Sequence, residues 1–593
     1  MKRKHVCWIA TVVTIVVCVA VATVLLLQTP AASVRKHPPT VQVQEGVLQG
    51  QWLPVSGAED AKQFAAFTGV PYAHPPVGPL RFKAPRPPLQ WNGTRDATEE
   101  SADCWQQSSE TFEAVGSEDC LYLNVYSPDL PEQTQKLLPV YFFIHGGTFL
   151  FGTSNYSWFG PEFLMMQNIV VVTIKYRLNV FGFLNLDNEI VPGNAGIKDQ
   201  IAALKWVSEN IAKFGGDPNE ITVGGQSAGA VSAHWLALLP ESRDLFKRVL
   251  LESGSALHSF GYNEDNFAVA DDLGRALANK TITIAELAQL VMSLPPKDLM
   301  AASMPMAIQR SNTLATQIPY APSIERRVPV VGGEKPLITN SPETLIIDPT
   351  VPQKPMFVGM NNREWLAGYY AYGYGGDVNF MNYRIRTLIN LLPKNIIPYI
   401  DTIEYLKLTD VAPTFQWSDV TDAVDHNYFR SMDMNCNLTC IFKKYLDDIV
   451  IGVDTNRLVD LRSSSKLSTT YVYRFSLRSD YSISALVDPD QSAGGAVHSD
   501  ELGYIWRMSG LRQKLNGDDL ASRTLQRMTN MWGSYIRTGI PSPDNKFTWQ
   551  PTENRVTGIR FLEIQEELEE KDEDIGGPNM PFWFNLYQQY RKK

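Results

Sequence analysis

Ser227 lies in Ile221-Thr-Val-Gly-Gly-Gln-Ser-Ala-Gly-Ala230, between an apolar run ending at Val223 and a stretch with few helix breakers, Ala228 to Leu239. A strand followed by a helix at this spacing puts Gly225-Gln226-Ser227-Ala228-Gly229 on a sharp turn. Such a turn lifts a serine hydroxyl clear of the sheet, and the G-x-S-x-G pattern is the nucleophile elbow. The flanking glycines leave room for neighbouring backbone where a Cβ would clash. The first N–H groups of the helix have no intrahelical acceptor and point to where negative charge develops on an attacked carbonyl. The implied chemistry is nucleophilic attack by Ser227; the competing reading is a glycine-rich turn with an idle serine.

A serine nucleophile needs a base, an acid to orient the base, and donors for an oxyanion. In the fold that carries such elbows, these follow in the order serine, acid, histidine. His426 and His498 lie far enough downstream. His426, in Ala423-Val-Asp-His-Asn-Tyr428, reads as helical and packed or solvated. His498, in Gly494-Gly-Ala-Val-His-Ser-Asp500, sits on a turn after Asp488-Pro489 and is the expected base. Pro355-Met-Phe-Val-Gly-Met-Asn-Asn-Arg-Glu364 reads as a strand and a turn, which places Glu364 just past the strand's carboxyl end as the expected acid. The competing reading is a surface glutamate paired with Arg363. Phe142-Phe-Ile-His-Gly-Gly-Thr148 is a strand running into an H-G-G loop, so the N–H groups of Gly146, Gly147 and Thr148, with that of Ala228, form the expected oxyanion hole. His145 is expected to bond backbone rather than do chemistry.

These residues need a sheet to hold them. The chain has 593 residues, 44% of them hydrophobic and 11% aromatic, enough for a large core. Short apolar runs read as strands at Val140 to Ile144, Ile169 to Ile174, Ile221 to Val223, Val249 to Leu251, Met356 to Val358 and Tyr471 to Phe475. Helical stretches such as Asp199 to Ala212 alternate with several of them. The rhythm predicts an α/β fold: a mostly parallel central sheet covered by helices on both faces. Residues 388–450 are helix-rich and read as an insertion over the carboxyl edge of the sheet, above the site. The acidic run Glu566 to Asp574 reads as a solvated face. With 53 basic against 63 acidic residues and no long basic run, nucleic acid is not an expected partner.

Lys2-Arg3-Lys4 precedes the uncharged run Val6 to Leu27, which would span about 33 Å as a helix. Cleaved signals have apolar regions of only ~7–15 residues, so an uncleaved type II signal anchor is favoured over a signal peptide. The expected organisation is a short cytoplasmic N-terminus (1–5), an anchor or signal (6–27), a linker (28–40) and one catalytic domain (41–593), either membrane-anchored or secreted. Sequons at Asn92, Asn155, Asn279 and Asn437 agree with export. So do Cys104, Cys120, Cys436 and Cys440, for which two local bridges, Cys104–Cys120 and Cys436–Cys440, are expected. No histidine accompanies them at zinc spacing; neither a metal nor a cofactor is expected.

Further stretches carry a family resemblance: Phe67-Thr-Gly-Val-Pro-Tyr-Ala73 with Pro75 to Phe82, Glu118-Asp-Cys-Leu-Tyr-Leu-Asn-Val125, Gly193-Asn-Ala-Gly196 with Asp199-Gln200, Phe214-Gly-Gly-Asp-Pro-Asn219, and Trp532 to Pro541. With the elbow, they make the chain resemble the type B carboxylesterase/cholinesterase family of α/β hydrolases from Val41 to the C-terminus. The resemblance implies a serine esterase with Ser227, Glu364 and His498 as triad, and Ser253, in Glu252-Ser-Gly254, bonded to the acid. It departs from the family pattern at Thr148, usually Gly or Ala, and at Trp365, usually small. It also lacks the tryptophan that cholinesterases place before the second cysteine of the first bridge; residues 111–116 contain none. An uncharged apolar ester is therefore the expected substrate, not a choline ester. Gln226 and the turn Gly495 to Asp500 are also similar to juvenile hormone esterases. A third reading, from another class, is a non-catalytic adhesion protein of the same fold; the presence of all three triad residues favours the enzyme.

Overall fold

The computed structural model describes residues 37–55, 62–108, 111, 113–132, 136–263, 266–313, 318–364, 423–430, 444–465, 468–486, 494–544, 547–552 and 558–590. The run Val6 to Leu27, Trp365, Cys436, Asn437 and Cys440 lie outside them, as does most of the expected insertion. Among the described residues no helix is long and apolar enough to cross a membrane.

Among the described residues eleven strands form one sheet. In chain order they are β1 (Gln51–Pro54), β2 (Gln63–Pro71), β3 (Tyr122–Ser127), β4 (Leu138–Ile144), β5 (Val170–Ile174), β6 (Gly216–Gln226), β7 (Arg248–Glu252), β8 (Met356–Asn361), β9 (Thr470–Phe475), β10 (Ile559–Ile564) and β11 (Leu568–Glu573). Their spatial order is β11-β10-β9-β8-β7-β6-β4-β5-β3-β2-β1. From β10 across to β5 every pairing is parallel. Both ends are antiparallel, β11 on β10 and the run β5-β3-β2-β1. The sheet is thus mostly parallel, with antiparallel margins that the apolar runs had not disclosed. The acidic run forms β11, an edge strand whose side chains mostly face water. Charge on an exposed edge also opposes pairing with another chain.

Alternation along each central strand supplies two cores. On β4, Val140, Phe142 and Ile144 join a cluster with residues of α1 (Ala195–Asn210) and α2 (Ala228–Leu238). Tyr141 and Phe143 point the other way, into a cluster with Leu525, Met528 and Trp532 of α3 (Leu520–Thr538). Helices therefore cover both faces, as parallel strands without a solvent face require. Removing one such side chain from water contributes about 1.5–3 kcal/mol. The ends of α3 are written in its sequence: Asp519 accepts from the Ser522 N–H at 2.8 Å, and Gly539 stops the helix at φ 80°.

Candidate active site

The carboxyl ends of β4, β6, β7 and β8 carry the site. β6 runs directly into α2, and the residue between them, Ser227, sits at φ 57°, ψ −124°. This is a sparsely populated region for a residue with a Cβ and costs on the order of 1–3 kcal/mol. Surrounding packing holds it there. The Ser227 N–H donates to the Glu252 carbonyl on β7 at 2.8 Å. A Cβ on Gly254 would meet the Ser227 carbonyl at 2.5 Å, so that glycine seals the turn from behind. The elbow glycines have the reason the pattern implies: a Cβ on Gly229 would lie 2.0 Å from the Ile144 carbonyl oxygen of β4. The β4 loop can pack on the start of α2 only without that atom.

The loop after β4 turns on three successive residues with positive φ, Gly147 at 106°, Thr148 at 54° and Phe149 at 59°. Thr148 is the unexpected member, because a β-branched residue is strained there. Its hydroxyl donates to the Gly147 carbonyl at 2.7 Å, which folds the side chain back onto the loop. His145 is buried and its Nδ1 lies 2.8 Å from the Gly146 carbonyl; burial pushes its pKa down to about 4, so it is a neutral support. It stacks on Tyr176, whose hydroxyl donates to the His145 carbonyl.

Two residues that sequence reasoning missed anchor the far end of this loop. Gln106 accepts from the Gly152 N–H and donates to the Gly152 carbonyl, both at 2.9 Å. The Asn179 amide donates to the carbonyls of Trp105 and Leu150. Gln106 lies in the segment closed by the Cys104–Cys120 disulfide, which the structure contains. Trp105 packs against the core.

On the other side of Ser227, Glu364 and His498 meet across a small parallel bridge between Arg363 and Val497. The Arg363 N–H donates to the Ala496 carbonyl, the His498 N–H to the Glu364 carbonyl, and the Asn361 amide to the Val497 carbonyl. The side chains then pair, Glu364 Oε2 lying 2.6 Å from His498 Nδ1. The remaining oxygen, Glu364 Oε1, accepts from Ser253 Oγ and from the Asn361 N–H, each at 2.6 Å. Glu364 is only 1% exposed, and the ion pair of Arg363 runs to Asp447 instead. His498 is 23% exposed. Its Nε2 lies 3.2 Å from Gln226 Nε2. His426 sits exposed on the helical turn Asp425–Arg430.

Below the pair lie two more carboxyls. Glu252 accepts from Tyr141 OH and Trp532 Nε1, and burial without a cation pushes its pKa up to about 8. Glu501 accepts from the Asn361 amide, and burial together with the charges of Glu252 and Glu364 raises it well above the usual range. With Glu252 and Glu501 both shifted toward their neutral forms, they add little negative charge beneath the Glu364–His498 pair. Glu501, Asn361 and Gln106 carry no motif of their own; only their location beside the site marks them.

A strand–elbow–helix serine, a tightly turned loop after β4 and a carboxylate–histidine pair on one doubly covered sheet define the class: an α/β hydrolase of the serine type. The Carboxylesterase family model matches residues 37–583, and the chain belongs to that family; it is a carboxylic ester hydrolase. Among curated relatives, esterase FE4 of Myzus persicae is 30% identical, covering 89% of this chain and 90% of its own. The juvenile hormone esterase of Heliothis virescens is also 30% identical, covering 88% and 89%. Among solved structures, juvenile hormone esterase from Manduca sexta with OTFP covalently attached superposes with a TM-score of 0.79 at 27% identity, covering 93% of this chain and all of that one.

Proposed function

We propose that Ser227, His498 and Glu364 act as nucleophile, base and orienting acid in hydrolysis of uncharged esters with an apolar body. The observation that carries this is the 2.6 Å Glu364–His498 pair, buried on the acid side and open on the base side, beside a strained serine elbow. A carboxylate on Nδ1 keeps the ring proton there and leaves Nε2 as the base. Nε2 takes the Ser227 proton as Oγ bonds to the ester carbonyl carbon. The N–H groups of Gly146, Gly147, Thr148 and Ala228 hold the resulting oxyanion. His498 returns the proton to the departing alcohol, leaving an acyl-enzyme. Water, deprotonated by His498, then releases the acid and restores Ser227. Ser253 holds the acid in place from the opposite oxygen.

The apolar preference rests on Phe151, 41% exposed at the end of the oxyanion loop, and on the absence of tryptophan from residues 111–116. A quaternary ammonium needs aromatic faces around it, each worth ~0.5–2 kcal/mol. The test is labelling of the ectodomain by a fluorophosphonate, followed by kcat/KM for butyl, naphthyl, juvenile hormone-like and choline esters. Absence of label on Ser227 would refute the mechanism; a tenfold preference for the choline ester would refute the substrate class. A clear preference for the hormone-like ester would narrow it to the activity that the Heliothis virescens relative's name carries.

Export of the catalytic body is supported by the Cys104–Cys120 disulfide and by exposed sequons at Asn92 and Asn279. Asn155 is half-buried with its Oδ1 enclosed, a poorer acceptor. The Val6 to Leu27 run is read as a signal anchor; retention in the pellet on alkaline carbonate extraction is expected, and an N-terminus beyond Leu27 in the medium would make the enzyme secreted.

A further inference from the structure

In the resting structure the lone pair that must take the serine proton is already engaged. The carboxylate of Glu364 only accepts, so the ring proton of neutral His498 sits on Nδ1 and Nε2 is an acceptor. Gln226 Nε2 lies 3.2 Å from it, and amide N–H donation to the ring is the one arrangement in which the polarities match. The other end of the same carboxamide borders the oxyanion loop: a Cβ on Gly146 would lie 2.9 Å from Gln226 Oε1. Gln226 is 4% exposed and immediately precedes Ser227, so its side chain has little freedom to leave the site.

We propose that Gln226 is a positioning residue whose carboxamide follows the protonation state of His498, donating to the neutral ring and, after a half-turn, accepting from the imidazolium. The inference rests on the triad reading above. Once the Ser227 proton has moved to Nε2, an amide N–H facing it would set donor against donor. A half-turn presents Oε1, an acceptor. A carboxylate at this position serves only the imidazolium, and a thioether serves neither form. Among the described residues, titratable groups near the ring include Glu364 and Glu501 on its two flanking turns, Asp500 beside it, Arg363 on the bridge to Val497 with its ion pair to Asp447, Glu252 on β7, Tyr473 on β9 and His258 beyond β7. Burial pushes His258 down to about 3, and Asp500 is held by Ser484 and the Val497 N–H, so neither substitutes for Gln226 at Nε2.

The test compares wild type, Gln226→Met and Gln226→Glu on a short aryl ester from about pH 5 to 9, with rates expressed per fluorophosphonate-titrated serine so that misfolded protein does not count. For Gln226→Met, kcat is expected to fall about 5- to 30-fold with KM within about twofold, because the side chain touches the base and not the ester. Gln226→Glu is expected to recover most of kcat at the alkaline end. Its acid limb should move up by about 0.5–1 pH unit, since a carboxylate favours the protonated ring. Equal losses in both variants with an unmoved limb would mean Gln226 only fills space, and would overturn the proposal. So would a Met variant within twofold of wild type in kcat together with an unmoved limb in the Glu variant. Wild-type Ser227 that takes no label would overturn the triad and this proposal together, whereas labelled serine with silent variants would overturn this proposal alone.

Discussion

The two sides of Ser227 are built from different material. The nucleophile side is backbone: β6, α2 and the β4 loop interlock through glycines whose absent Cβ atoms would fall 2.0–2.6 Å from neighbouring carbonyl oxygens. The base side is side chain: Glu364, Ser253, Asn361 and His498 are tied by hydrogen bonds between residues more than 100 positions apart. Backbone interlocking tolerates no added atom, so damage there is a failure to fold. A side-chain network loses one bond at a time, so damage there is graded.

The sharpest contrast comes from the reacting groups themselves. Ser227→Ala should lower kcat/KM on a short aryl ester by at least about 10³-fold with an unchanged melting temperature. Residual activity within tenfold would break the nucleophile assignment. Glu364→Gln should cost about 10²–10⁴-fold, because the amide favours the wrong tautomer of His498 while occupying the same volume. His426→Ala, on an exposed helical turn, should stay near wild type.

Next in size is a change on the backbone side. Gly229→Ala puts a Cβ 2.0 Å from the Ile144 carbonyl, where no rotamer can relieve it. The expected outcome is loss of folded protein on expression, scored by disulfide-intact yield. A well-folded Gly229→Ala enzyme would show that the elbow can shift, and would erase the distinction between the two sides.

On the base side, Ser253→Ala removes one of the two donors on Glu364 Oε1 and leaves the Asn361 N–H. The loss should be about 10- to 150-fold in kcat, in line with a net ~1.5–3 kcal/mol for a bond to a charged group. A larger loss than for Glu364→Gln would reverse their order of importance.

A pH experiment probes the carboxyls beneath. The folded Glu252 pKa of about 8 lies above the 4.5 of a free glutamate. Between those values the folded state binds more protons than the unfolded one, so this group's contribution is complete below pH 4.5 and is lost as pH rises through about 8. Glu252→Gln keeps the neutral shape without the titration. Its melting temperature relative to wild type should therefore climb from pH 5 to 8.5, a differential of about 2–4 kcal/mol at most. A constant difference across that range would mean Glu252 does not titrate there.

The smallest effect is expected at Thr148. Thr148→Gly should relieve about 1 kcal/mol of left-handed strain and change the preference for acyl size only a few-fold, because the hydroxyl already folds onto the Gly147 carbonyl. A tenfold gain on bulky acyl esters would instead place the side chain in the acyl pocket.

By itself the sequence determined whatever is local. Strand periodicity, the glycine spacing of the elbow, the H-G-G loop and the caps of α3 are set by neighbours within a turn or two, because sterics and backbone hydrogen bonding act at that range. Gly225, Ser227, Ala228 and Gly229 could be read for this reason, and so could the parallel centre of the sheet. The antiparallel margins could not: β1 is short and half-exposed, β2 is apolar enough to pass for a central strand, and no local pattern tells an antiparallel partner from a parallel one. His498 and Glu364 could be nominated from position after strands, but not their 2.6 Å approach. That distance depends on the bridge between Arg363 and Val497 and on the Asn361 amide. Likewise Gln226 stands out only as a point of resemblance, with no role until the fold brings residue 498 against it. Glutamates 252 and 501 look like any others in the chain; only burial without a cation makes them neutral, and burial is a property of the assembled core rather than of the letters around them.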